Sequence, residues 1–103
     1  NYGNLKGVLF MDATLTKISK EIGINENILL KESLKAYIRS ELRKIEIDLI
    51  SLYHKYGIKS IMDLEKLIEN GEVNESDVFN DLTKIDYLES KMDKLKKLLM
   101  SIE

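Results

Sequence analysis

Two apolar seams constrain this chain more than any other feature. Ile38, Leu42, Ile45, Leu49, Leu52 and Tyr56 follow one another at steps of 4, 3, 4, 3 and 4. Ile85, Leu88, Met92, Leu95, Leu99 and Ile102 do the same at steps of 3, 4, 3, 4 and 3. Such steps average close to the helical repeat, so each seam stays on one face of a helix and calls for a partner helix, as in a coiled coil. No proline occurs in the 103 residues, so nothing removes a backbone donor from either helix. Leu30 and Leu34 extend the first seam, and Val78 with Leu82 the second. Ile47, Ile50 and Tyr53 widen the first into a stripe that suits more than one neighbour.

Glycine supplies the punctuation. Gly23, Gly57 and Gly71 each follow a helical pattern, as a left-handed C-cap requires. Between the seams, "GIKSIMDLEKLIENG" predicts a short connecting helix, with Ser60 as N-cap, Asp63 three residues on, and Ile61, Leu64, Leu67 and Ile68 facing inward. Asn74 or Ser76 is placed to cap the last helix. Near the front, Asp12 or Thr14 would cap a helix from Ala13 to Ile22 bearing Leu15, Ile18 and Ile22 on one face. Asn25 or Asn27 would cap the helix after it. Residues 1–12, with "GVLFM", predict a frayed tail or a short strand, and such a strand would need an edge from another copy of the chain. The expected fold is all-α and a single domain over 1–103. Its parts are a tail or strand at 1–12, a helix-turn-helix-like front at 13–38, and an antiparallel helical hairpin at 39–103.

Composition narrows the chemistry. With 44% hydrophobic and 33% charged residues the chain reads as globular, not disordered. Without cysteine it has no disulfide, thiolate zinc site or thiol nucleophile. No apolar run nears the roughly 20 residues of a membrane span, and "GVLFM" is too short for a secretory signal core. A soluble cytoplasmic protein is expected. The net charge of -2 hides a split: eight Lys/Arg against five Asp/Glu over residues 1–45, then eight against thirteen over 46–103. The front is mildly basic and the back acidic.

Catalytic constellations are sparse. His54, the only histidine, has no second imidazole or thiol to share a metal with and reads as a surface residue. Asp81, Asp86, Glu89 and Asp93 interleave with Lys84, Lys91, Lys94, Lys96 and Lys97, the pattern of a salt-bridged, solvated helix face. "ELRKIEIDLISLYHKYG" is similar to the first helix of all-helical chorismate mutases. Those enzymes clamp a dicarboxylate with several Arg and Lys residues, and here only Arg39 and Arg43 are present to do so. No enzyme activity, catalytic residue, metal or cofactor is expected.

Cations offer more. Lys31, Lys35, Arg39 and Arg43 follow at steps of four, with Lys17 and Lys20 on the helix before. Such a set suits a phosphate backbone, although Glu32 and Glu41 lie among them. "EIGINENILLKESLKAYIRSEL" resembles the helical part of ribbon-helix-helix repressors: Gly23-Ile24, the polar turn Asn25 to Asn27, and Leu30, Leu34 and Tyr37 stand where that family has its turn and helix face. "GVLFMD" would be its strand, but Val8, Leu9, Phe10 and Met11 are apolar where base-reading residues belong. "LTKISKEIGINENILLKESL" also resembles an ordinary helix-turn-helix, with Ser19 as the small residue, Gly23 at the turn and Leu29 buried. Across Gly23 to Ile38, Lys55 to Val73 and Asp86 to Leu99, the chain looks like small archaeal helical proteins, some of antitoxin-like organisation.

Those resemblances imply a non-catalytic interaction protein. Its hairpin would bind a basic protein partner such as a toxin, and its front would dimerise and touch DNA through Lys17, Lys20, Lys31, Lys35, Arg39 and Arg43. Ile38, Leu42, Ile45, Leu49, Leu52, Tyr56, Ile85, Leu88, Met92, Leu95 and Leu99 are the expected partner or dimer interface. The alternative is a homo-oligomeric helical scaffold without nucleic-acid binding, needing only the seams.

Overall fold

A helix keeps its backbone hydrogen bonds within one segment, so a proline-free chain with two long seams has an inexpensive route to order. The computed structural model describes the backbone of residues 2–102, and the side chains in that range except those of 2–6 and 8–10. Its elements are α1 (Tyr2–Ile22), α2 (Glu26–Tyr56), α3 (Ile61–Glu69) and α4 (Glu75–Ile102). The described residues contain no strand, and none of their helices is long and apolar enough to cross a membrane. The chain divides into two compact units, residues 1–37 and 38–103.

The front departs from expectation. Residues 2–12 are neither strand nor tail; they form the first half of α1, so Asp12 and Thr14 lie inside that helix instead of capping its start. A lone strand leaves its donors and acceptors unmet, whereas a helix satisfies them internally. Asn1 and the side chains of Val8, Leu9 and Phe10, expected to be poor base readers, fall outside the described set.

Helix ends follow the glycines closely. At the end of α2, the Gly57 N–H donates to the His54 carbonyl at 3.3 Å and the Ile58 N–H to that of Tyr53 at 3.0 Å. Those two bonds define a Schellman cap, which needs φ near +60° at the glycine, and Gly57 has φ 65°. The same 6→1 bond closes α1, from the Ile24 N–H to the Ser19 carbonyl at 3.0 Å. Asn25 then caps α2, its Oδ1 accepting from the N–H groups of Asn27 at 2.8 Å and Ile28 at 3.3 Å. Asn74 does likewise for α4, accepting from the Ser76 N–H at 3.0 Å.

In the unit of residues 38–103 a hydrophobic core forms from Ile45 and Leu49 of α2, Ile58 of the turn, Leu64 of α3, and Val78, Ile85 and Leu88 of α4. Leu64 and Ile85 are fully buried and Leu49 almost so. Tyr53, Tyr56, Ile61, Met92 and Leu95 pack around them. Both seams thus turn inward within one unit. Ile47 and Ile50 stay exposed; the stripe is wider than the neighbours this unit supplies.

Gly57→Ala should destabilise the protein by about 1–2 kcal/mol, the usual cost of a left-handed residue with a Cβ. No atom lies within 4 Å of the added carbon, so backbone strain alone is responsible. Urea unfolding would show it, with Gly57→Asn expected to cost less.

Candidate functional site

The short helix α3 is held in place by a carboxylate from another helix. Ser60 is its N-cap residue but makes no side-chain cap bond. Asp63 accepts instead from the Lys59 N–H at 2.9 Å, one residue before the partner expected of a capping box. The first helical donor, the Ile61 N–H, goes to Glu89 Oε2 on α4 at 2.9 Å, and the Tyr53 hydroxyl of α2 donates to the same oxygen at 2.5 Å. One anion therefore joins three helices and sits at the positive end of α3.

A second tie lies one turn along α2. The Tyr56 hydroxyl and Lys55 Nζ both donate to Asp81 Oδ2, the lysine at 2.7 Å. The Lys55 bond first, and then that of Tyr56, hold the Asp81 carboxyl below its ordinary value of 3.8. Burial, followed by the bond to Glu89, pushes the Tyr53 phenol far above 10.0. Burial followed by the bond to Asp81 raises Tyr56 as well, and the bond to Asp81 raises Lys55.

The segment that begins on α3 is rich in acids. Residues 63–77 carry Asp63, Glu65, Glu69, Glu72, Glu75 and Asp77 against Lys66 alone, six acids to one base. All but Asp63 are exposed. The rest of the unit has no acidic excess: Glu41, Glu46 and Asp48 stand against Arg39, Arg43, Lys44, Lys55 and Lys59 before this segment, and five acids against five lysines over 78–103. The whole excess of negative charge therefore comes from α3 and the turn into α4. There an open groove of about 580 Å³ is lined by Asn74, Glu75, Ser76 and Phe79, with the Phe79 ring 57% exposed. On α3 itself Met62 is 63% exposed. An uncovered aromatic with a carboxylate, Glu75, on the same groove can meet a ligand that is both cationic and apolar.

Half-chain charge totals blur this feature, because the lysine-rich end of α4 dilutes it; a window of about fifteen residues finds it. Phe79 belongs to neither seam, so the 4/3 spacing does not single it out.

The seam residues named from the sequence are largely consumed internally. Leu42, Ile45, Leu49, Ile85 and Leu88 are buried; Ile38, Leu52, Tyr56, Met92, Leu95 and Leu99 are half-buried. Among the cations, Lys17, Lys20 and Lys31 are exposed in the first unit and Lys35 is half-buried, with its Nζ 3.6 Å from Glu32. Arg39 and Arg43 are exposed in the second. Positions four apart turn by roughly 40° about a helix at each step, so cations at that spacing wind around it. Ser19 is buried and its Oγ donates to the Thr16 carbonyl at 3.0 Å, while Leu29 is half-buried. The acidic row on α4 is divided in use: Asp81 and Glu89 tie helices, Asp93 pairs with Lys97 at 2.9 Å, and Asp86 is exposed. His54 is exposed. No group of three or more acids and imidazole placed to hold a metal occurs among the described residues.

The two ties set a pH window for stability. Asp81 has its folded pKa below the unfolded one, so its contribution is complete above about pH 4 and lost as pH falls through the folded value. Tyr53, Tyr56 and Lys55 have folded values above the unfolded ones, so theirs is complete below about pH 10 and lost beyond it. The urea midpoint should fall on both flanks. Tyr53→Phe with Tyr56→Phe should shallow the alkaline fall, and Asp81→Asn the acid one.

Residues 11–103 match a family described as the uncharacterized protein MJ0235 family. The uncharacterized protein MJ0235 of the archaeon Methanocaldococcus jannaschii is 35% identical over 74 residues, covering 72% of this chain and 90% of that protein. No solved structure matches the chain. The chain belongs to the MJ0235 family.

Proposed function

For this member of the MJ0235 family we propose a role in binding without catalysis. It is a small interaction protein of antitoxin-like organisation whose acidic helical unit docks a basic protein partner. The observation that carries this reading is the run of six acids against one lysine over residues 63–77, next in sequence to the exposed Phe79, whose groove Glu75 lines. Opposite charge on a partner speeds encounter and selects against acidic competitors, while desolvation of an aromatic anchor supplies much of the affinity.

This reading moves the partner surface off the seams. A residue buried between α2 and α4 is unavailable to a partner unless the hairpin opens, whereas Met62 and Phe79 are accessible as they stand.

The test is capture with the tagged chain from the source organism's lysate, with and without nuclease, beside the variants Phe79→Ser and Glu72→Lys with Glu75→Lys. The expected result is a basic protein recovered in both arms, released by raised salt, and lost or reduced at least tenfold with either variant. Recovery of nucleic acid alone, sensitive to nuclease and to replacement of Lys31, Lys35, Arg39 and Arg43, would overturn the reading in favour of the basic residues.

A further inference from the structure

The unit of residues 1–37 has an unmet need for apolar contact. Among its described side chains no hydrophobic one is buried; Leu15, Ile24 and Leu29 are half-buried, and Ser19 is the one buried side chain. Two stripes stand open. On α1, Met11, Leu15, Ile18 and Ile22 follow at steps of 4, 3 and 4, the spacing of a coiled-coil seam. On α2, Leu30, Leu34 and Tyr37 follow at 4 and 3. Apart from Leu15, these side chains are 45–69% exposed. Two apolar grooves of about 300 Å³ each border the α1 stripe. One has Met11, Thr14, Leu15 and Ile18 along it with Leu29 and Ser33 of α2; the other has Met11, Leu15 and, at its edge, Asp12 with Leu30.

We propose that these two stripes are a self-association surface, and that a second copy of this chain covers them by packing its own α1 and the front of its α2 against them. Segments below about 40 residues rarely hold together without disulfides, metals or association, and with no cysteine in the chain the first is excluded. Charge favours a copy over a partner of one sign. Residues 11–37 carry Lys17, Lys20, Lys31 and Lys35 against Asp12, Glu21, Glu26 and Glu32, four of each, so two copies meet without net repulsion. The segment 63–77 has the opposite property and would repel its own copy. Area points the same way. At roughly 90 Å² of uncovered surface for each of the six exposed residues, a pair would bury on the order of 1,100 Å², just past the roughly 1,000 Å² that a specific interface needs. An isologous contact of this kind closes as a dimer.

Sedimentation equilibrium of the full chain tests the proposal. Wild type should sediment as a dimer of the 11.9 kDa chain. Ile18→Glu with Leu34→Glu should raise its dissociation constant at least ~100-fold, since each places a charge against apolar side chains, while Phe79→Ser should leave it unchanged. A second measurement does not depend on those variants folding. A nitroxide on Lys17→Cys, the only thiol in the chain, should give a resolved dipolar distance between two labels. A monomeric wild type at ~100 µM, which puts the dissociation constant well above the micromolar range, would overturn the proposal. So would a dimer that ignores both glutamates, or labels without a mutual distance.

Discussion

Leu49, Leu64 and Ile85, one from each of three helices, lie together out of water, and the unit of residues 38–103 is organised around that contact. Each such side chain contributes roughly 1.5–3 kcal/mol when fully buried, and none can be buried by its own helix alone. The three helices therefore order one another. α3 has the most to gain: at nine residues it is too short to persist in water by itself.

Polar chemistry then makes that packing directional. Glu89 accepts from both the Ile61 N–H and the Tyr53 hydroxyl, and Asp81 accepts from Tyr56 and Lys55. Apolar contact tolerates some sliding between helices, but a carboxylate that must reach two donors does not. The start of α3 is thereby tied to α2 and α4, and Asp63, Glu65 and Glu69 stand on a fixed helix. The proposed partner surface depends on this arrangement, because a mobile α3 would have to be ordered at the moment of binding.

The two units divide the physical problem differently. Residues 38–103 spend their seams on an internal core, so what they offer outward is charge with a few uncovered apolar groups. Residues 1–37 bury no described hydrophobic side chain, so what they offer outward is the apolar face itself. The proposed self-association would use the apolar face, and the proposed basic partner the charged one.

Much of this was legible in residue order. The 4/3 steps from Ile38 to Tyr56 and from Ile85 to Ile102, the absence of proline, and the glycines at 23, 57 and 71 determined an all-helical chain and where three of its helices end, because helical periodicity and φ > 0 are properties of local sequence. Local sequence misjudged residues 2–12, where short apolar runs suit strand and helix alike. It also could not show that a glutamate 28 residues away caps α3 where Ser60 does not, since a cap is a matter of distance in space. Periodicity already sets Ile47 and Ile50 roughly 200° and 140° round α2 from Ile45, and Ile45 is buried while those two are exposed. Which side of α2 has a neighbour to exclude water is what only the tertiary structure decided.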